Sequence, residues 1–149
     1  MENTEAKHCA PADDVLRALL GGARRITIIG AKDVPGQPVD RVGRYLAEAG
    51  YELTPVHPKR RTVWDIPAVP SVTEVPAADI VVLFRASQFC ADHAREVLAM
   101  KTRPACFWMQ EGIFSAEARR LLEPEGVLVV EDRCIMVEHR RLAVGKAAG

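Results

Sequence analysis

The sequence lacks an excess of charge of either sign, since its 20 lysines and arginines balance 20 aspartates and glutamates. Nucleic-acid-binding proteins more often carry a basic excess, so the composition argues against that class. No apolar run approaches the ~20 residues that a membrane-spanning helix needs. The N-terminal stretch MENTEAKHCAPADD has no apolar centre and does not resemble a secretory signal. We therefore expect a cytoplasmic protein that binds neither nucleic acid nor membrane.

Cysteine is also scarce, with four residues in the chain. None of them is part of a CxxC pair, and no spacing of His and Cys matches a zinc site, so we predict no bound metal. In a reducing cytosol the thiols are expected to be free. Cys90 and Cys106 lie in apolar surroundings and are interpreted as small core residues. Cys134, at the predicted start of a helix, is the candidate for a reactive thiol.

Short apolar segments alternate along the chain with stretches of helical periodicity. Wholly apolar runs of this kind are typical of strands buried on both faces of a parallel sheet. The predicted strands are Ile26–Ile29, Glu52–Val56, Ile80–Phe84, Ala105–Trp108 and Val127–Val130. The first predicted helix is capped by Asp13 and ended by Gly21 and Gly22, and the second spans Val39–Ala49. The third is capped by Ser87 and reaches Met100. The fourth spans Ala116–Glu123 with Ser115 as its cap, and the last begins near Ile135.

This alternation predicts an α/β fold, a Rossmann-like doubly wound parallel sheet of about five strands in three α/β/α layers. The 149 residues suit one domain. We expect that domain to span residues 13–142, between a disordered tail at 1–12 and a flexible tail at 143–149. The proline-rich stretch 62–76 predicts a loop with a short strand near Ala68–Val69 and one helical turn near Ser71.

Ligands of such sheets bind beyond the carboxyl ends of the strands. The first strand is followed by GAKDVPGQP, which breaks the GxGxxG spacing of dinucleotide-binding proteins. Gly30 still permits a tight turn, and Pro38 suits the first turn of the next helix. A helix start offers N–H groups and a positive dipole end to phosphate. The loop therefore predicts a phosphate site.

The second strand ends in PVHPKRR and not in the acidic residue that binds the ribose diol of NAD. Cationic groups suit a phosphorylated ribose, which occurs in CoA as a 3′-phosphate and in NADP as a 2′-phosphate. We predict that Lys59 contacts this phosphate. Arg60 and Arg61 are interpreted as a solvated basic loop.

The later strand ends carry fewer distinctive side chains. Arg85 is placed to meet an anion, although a surface salt bridge explains it equally well. Gln110 is a candidate to contact a pantetheine amide or a neighbouring loop. The segment EDRCIMVEHRR has residues for acid–base or nucleophilic chemistry. The favoured interpretation is structural: Asp132 caps the last helix, Arg133 pairs with a carboxylate, and Glu138 and His139 tie that helix to the sheet.

Four segments occur in an order that resembles a known family: ITIIGAKDVPGQPVDRVGRYLAEAGYELTPVHPK, VVLFR, FWMQEGI and VVEDRCIMVEH. They resemble the small stand-alone CoA-binding proteins, which are similar to the CoA-binding domain of the succinyl-CoA synthetase α subunit. The resemblance covers the chain from Ile26 to His139 and implies CoA as the ligand. The family usually has Asn where this chain has His57, and often Ser near Lys32, which implies a different hydrogen-bond pattern or weaker binding.

The resemblance also implies where the ligand lies. Gly30, Ala31 and Lys32 would contact the phosphates. His57, Pro58 and Lys59 would lie along the adenosine. Phe84 and Arg85 would flank the middle of the ligand, with Gln110 further along. The complete predicted set is Gly30, Ala31, Lys32, Gln37, Pro38, Val56, His57, Pro58, Lys59, Phe84, Arg85 and Gln110.

The leading hypothesis is a non-catalytic module that binds CoA or an acyl-CoA as a carrier, sensor or accessory subunit. In one variant Cys134 forms a mixed disulfide with the CoA thiol. The alternatives are an NADP-dependent oxidoreductase and a nucleotide-linked redox sensor. The first needs a substrate domain or proton donor and the second a DNA-binding module, and we find neither. The open edges of so small a sheet make a homodimer plausible.

Overall fold

A five-stranded parallel sheet forms the centre of the molecule, in a computed structural model that describes residues 10–145. Its strands are β1 (Arg25–Ile29), β2 (Glu52–Val56), β5 (Ile80–Leu83), β6 (Cys106–Met109) and β7 (Leu128–Val130). They lie side by side in the order β2-β1-β5-β6-β7. The strand order reverses between β1 and β5, which is the switch point where open α/β sheets bind their ligands. The predicted α/β fold is confirmed, and the five strands predicted for the sheet are present with ends shifted by at most a residue.

Five helices cover both faces of the sheet: α1 (Asp13–Gly22), α2 (Pro38–Glu48), α3 (Cys90–Leu98), α4 (Ala116–Leu122) and α5 (Ile135–Arg141). Helices α1, α2 and α5 pack on one face and α3 and α4 on the other, each against its own apolar cluster. The layers are therefore α/β/α, as predicted. Cys90 and Cys106 are fully buried and reduced. Burial raises the pKa of Cys90 to about 11 and that of Cys106 further still, which keeps both thiols protonated.

The stretch after β2 contains a small hairpin that the sequence did not reveal, made of β3 (Thr62–Val63) and β4 (Ile66–Pro67). Its two-residue turn places Trp64 and Asp65 at positive φ, 54° and 59°. The short strand expected at Ala68–Val69 is reduced to a single bridge between Val56 and Val69. The helical turn near Ser71 is confirmed as Val72–Glu74, with the Ser71 hydroxyl accepting from the Thr73 N–H at 3.2 Å.

Three predicted helix caps were wrong, and Ser115, which caps α4, was right. Ala12 precedes α1 in the cap position instead of Asp13, and makes no side-chain cap bond. Ser87 begins a separate 3-10 turn ahead of α3 and so does not cap that helix. Its hydroxyl accepts from the Phe114 N–H at 2.9 Å. Asp132 accepts from the Gly112 N–H at 2.7 Å and so does not cap α5.

The residues that follow α5 pack against the rest of the domain. Val144 packs against the cluster that covers the α1 face, and Leu142 is buried. Most of the two predicted tails, residues 1–9 and 146–149, lies outside the described residues, and so does Cys9. Within residues 10–145 no helix has the length and apolar character to cross a bilayer.

Candidate functional site

The turn after β1 is built around Gly30, which has a φ of +84°. Its N–H and that of Ala31 both donate to the Val56 carbonyl, at 3.1 and 3.3 Å. A Cβ atom at Gly30 would lie 2.5 Å from the Phe84 carbonyl oxygen. Glycine is therefore required both by the backbone angle and by the close approach of the neighbouring strand. The chain then enters α2 through Gln37 at the N-cap, with Pro38 in the first turn as predicted.

The loop after β2 folds around the His57 ring. The His57 Nδ1 accepts from the backbone N–H groups of Lys59 and Arg60, both at 3.0 Å. An atom that accepts two hydrogen bonds carries no proton, so the proton of the neutral ring lies on Nε2. An asparagine side-chain oxygen can accept in the same way. The arrangement explains how histidine substitutes for the asparagine that the resemblance led us to expect.

Arg60 is exposed, as the sequence suggested, but it also forms an ion pair. Its guanidinium donates to Asp33 Oδ1 at 2.8 Å, and Asp33 Oδ2 accepts from the Trp64 N–H at 3.1 Å. Asp33 belongs to the loop after β1 and Trp64 to the hairpin. The Asp33 carboxylate therefore links the loop after β1 to the loop after β2 and to the hairpin. Arg61 is exposed, as expected.

The loops after β1, β2 and β5 surround a cavity of about 600 Å³. Because Ile29 is in register with Val56 and Leu83, the residues that follow them start at one level. All of the predicted site residues line this cavity except Ala31, Lys59 and Gln110. Ala31 is fully buried, and Lys59 is exposed beside the lining residue Pro58. Lining residues that the sequence analysis missed are Ile29, Val39, Pro70, Ser71, His93 and Glu96.

Arg85 stands out among the lining side chains. Its Nε is buried and has no hydrogen-bond partner within residues 10–145, while its guanidinium lies 4.4 Å from the centre of the Phe89 ring. A buried donor without an acceptor is unfavourable by about 1–3 kcal/mol or more. An anionic ligand in the cavity would supply the missing acceptor. Among the described residues Arg85 forms no surface salt bridge, the alternative considered from the sequence.

A second cavity, also about 600 Å³, adjoins the first, and Pro38, Phe84 and Arg85 line both. Its further lining is largely apolar and includes Cys134. The other residues are Arg41, Val42, Ala86, Gln110, Glu111, Ile113, Met136 and Val137. We call the two adjoining cavities together the elongated cleft, whose lining extends from the loops after β1 and β2 to the start of α5.

Gln110 is nearly inaccessible, at 4% exposure, and its Oε1 accepts from the Ile135 N–H at 2.9 Å. Gln110 therefore caps the N-terminus of α5, the role that we expected of Asp132. The Gln110 Oε1 thus contacts the start of a helix and not a neighbouring loop. Its contact with a pantetheine amide stays a prediction.

Several charged side chains of the EDRCIMVEHRR segment make contacts within the fold. Arg133 pairs with a carboxylate as predicted, that of Glu138, at 3.0 Å. Glu138 also binds Arg141 at 2.7 Å, so the expectation that it ties α5 to the sheet was wrong. His139 was expected to tie α5 to the sheet, but its Nδ1 lies 2.7 Å from the Tyr45 hydroxyl of α2 and its ring packs edge-on against Tyr45 and Tyr51. Residues 10–145 hold no group of three or more His, Cys, Asp or Glu that could bind a metal.

The pKa values of two histidines are lowered from their ordinary value. His57 is affected first by burial and then by the cations Arg60, Lys32, Lys59 and Arg85. For His139 burial is the dominant cause. Both rings therefore resist protonation in the folded state, and the unfolded chain binds more protons once the pH falls below about 6.5.

It follows that the free energy of unfolding should decrease as the pH falls from about 7 to about 5. In His57→Asn the amide oxygen keeps the two N–H contacts but does not titrate, so this variant should lose less stability over the same range. Urea denaturation at the two pH values measures both quantities. A wild-type stability that rises on acidification, or an equal loss in the variant, contradicts the assignment to His57.

Comparison with known proteins places these features in a family. Residues 24–140 match the family described as CoA binding domain. The chain belongs to this family. A relative in Bacillus subtilis (strain 168), the uncharacterized protein YneT, is 33% identical over 130 residues, which cover 87% of this chain and 95% of the relative. The family therefore supports CoA binding, as the sequence led us to expect.

Solved structures agree with the fold. A cell-free-produced protein from Thermus thermophilus is 40% identical, with a TM-score of 0.82 over 89% of this chain and 99% of its own. A hypothetical protein from Pyrococcus horikoshii OT3 is 27% identical, with a TM-score of 0.85 over 96% of this chain and 99% of its own. A dinucleotide-forming acetyl-coenzyme A synthetase from Ca. Korarchaeum cryptofilum shares the fold at 17% identity and a TM-score of 0.60, covering 75% of this chain and 26% of its own.

Proposed function

We propose that this protein binds CoA or an acyl-CoA in the elongated cleft and does not transform it. The observation that carries the proposal is the buried Arg85 Nε without an acceptor, at the point where the two cavities meet. The pyrophosphate lies against Arg85, Lys32 and the first turn of α2, where cationic groups and the helix dipole favour it. Membership of the CoA-binding domain family supports the same ligand.

The rest of the ligand is assigned by chemistry. The adenosine lies in the first cavity beside His57 and Pro58, with its 3′-phosphate towards Lys59. The pantetheine arm passes Phe84 and enters the second cavity, whose largely apolar lining suits an uncharged chain ending in a thiol or an acyl group. A carrier, a sensor or an accessory subunit needs no further catalytic residue. Cytoplasmic location and a homodimer stay predictions, which cell fractionation and light scattering test.

The role of Lys59 can be tested with ligands that differ by one phosphate. Lys59→Ala should lower the affinity for CoA by about 3- to 10-fold, because an exposed ion pair contributes about 1 kcal/mol. The affinity for dephospho-CoA should stay unchanged. Isothermal titration calorimetry with both ligands measures this. Arg61→Ala, which removes the same charge two residues further on, serves as the control. An equal loss of affinity for both ligands in Lys59→Ala would show that Lys59 does not contact the 3′-phosphate.

A further inference from the structure

Two polar residues of α3 that no sequence pattern singled out line the first cavity. His93 and Glu96 lie one helical turn apart, with His93 Nδ1 at 2.8 Å from Glu96 Oε1. Their side chains are 18% and 39% exposed, so the pair lies at the cavity wall and not on the open surface of the helix. By contrast, Asp92 of the same helix is 79% exposed, does not line the cavity, and pairs with Arg95.

The hydrogen bond within the pair determines what it can offer a ligand. An ionised carboxylate only accepts, so His93 Nδ1 is the donor and the Nε2 of the neutral ring is an acceptor. Within residues 10–145 neither His93 Nε2 nor Glu96 Oε2 has another hydrogen-bond partner. Because both residues line the cavity, these two acceptor atoms are available to a ligand group with two N–H donors.

Residues of both charge signs line the first cavity. Lys32 and Arg85 lie with the glycine turn and the start of α2, where we place the phosphates. A carboxylate repels phosphate, so Glu96 marks the wall against which an uncharged part of the ligand lies. In an adenine nucleotide that part is the base, and its 6-amino group carries two N–H donors.

We propose that His93 and Glu96 form the base-recognition wall of the cleft and accept hydrogen bonds from the 6-amino group of adenine. This inference rests on the proposed function, since it requires an adenine nucleotide in the first cavity. The consequence is discrimination against a 6-oxopurine such as hypoxanthine, whose carbonyl oxygen would face two acceptors. A site built for N–H donors rejects an analogue that lacks them because its own polar groups then stay unpaired.

The test compares ADP with inosine 5′-diphosphate by calorimetry, with CoA titrated into the wild type as a reference. The wild type should prefer ADP by about tenfold, the factor that one well-placed hydrogen bond to a charged group provides. In Glu96→Gln the side-chain amide can donate to the hypoxanthine oxygen. This variant should lose most of the preference through weaker ADP binding and unchanged or stronger binding of the inosine nucleotide.

Asp92→Asn is the matched control, because it removes a carboxylate from the same helix without changing the cavity wall. It should keep the wild-type preference. If the wild type binds CoA but shows no preference for ADP, or if Glu96→Gln changes both affinities by the same factor, base recognition by this pair is wrong and the proposed function stands. If the wild type binds neither CoA nor ADP, the proposed function itself fails.

Discussion

Gly30→Ala is expected to destabilise the protein by about 3 kcal/mol or more, since both a positive φ and a steric overlap oppose the substitution. The added Cβ would lie 2.5 Å from the Phe84 carbonyl oxygen, a backbone atom that also follows a central strand. Relief requires the β1 turn to separate from the end of β5. Since both strand ends line the first cavity, the affinity for CoA should fall at least ~10-fold as well. Urea denaturation and calorimetry measure the two effects.

Gly36→Ala provides the control for that result. Gly36 lies in the same loop and has a φ of +90°, but no atom lies within 4 Å of a Cβ built there. The substitution therefore carries the backbone strain alone and should be unfavourable by about 1 kcal/mol. It should leave CoA binding nearly unchanged. Equal destabilisation by the two substitutions would mean that the contact with Phe84 has no energetic role.

Gly43→Ala should have the second largest effect, about 2–3 kcal/mol, because it overfills a tightly packed contact. The new Cβ would overlap the six-membered part of the Trp64 ring, which lies against α2 at this position. The ring would have to move, and its Nε1 would lose the 2.9 Å bond to Asp40 Oδ1. The backbone N–H of Trp64 also donates to Asp33, in the loop after β1. A shift of Trp64 should therefore disturb the cleft and lower the affinity for CoA.

The Gly43 prediction is measured by urea denaturation together with tryptophan fluorescence, which should shift to longer wavelength as the Trp64 ring becomes hydrated. Gly21→Ala is the matched control. Gly21 is a glycine of α1 with no atom within 4 Å of a Cβ placed there, so alanine should be neutral or stabilising by up to ~1 kcal/mol. A Gly43→Ala protein as stable as the wild type would show that the hairpin does not pack closely on α2.

The sheet and the turn at Gly30 could be predicted because their signals are local. Apolar runs of four or five residues identify the strands, and the glycine after Ile29 marks the turn regardless of what lies elsewhere in the chain. The parallel arrangement then places the strand ends at one edge. The caps were less predictable. Asp13 and Asp132 are of the residue type that caps prefer, but Ala12 is the N-cap of α1 and Gln110 accepts the N–H at the start of α5.

The missed parts of the site depend on contacts between residues far apart in the chain. Gln110 caps α5 from 25 residues away, and Arg60 pairs with Asp33 from 27 residues away. Neither sequence separation corresponds to the periodicity of a helix or a strand, so no sequence pattern indicates these two contacts. His93 and Glu96 have helical spacing, but only the packing of α3 beside the β5 end shows that they line the cavity.

Isothermal titration calorimetry of the ligand-free protein with CoA, dephospho-CoA, NADP and NAD tests the central claim most directly. The account predicts that CoA binds, that dephospho-CoA binds more weakly because it lacks the 3′-phosphate, and that NAD gives no measurable heat. Binding of NADP with no response to CoA would contradict the account. The ligand would then have no pantetheine arm, and the assignment of the apolar second cavity to that arm would be wrong.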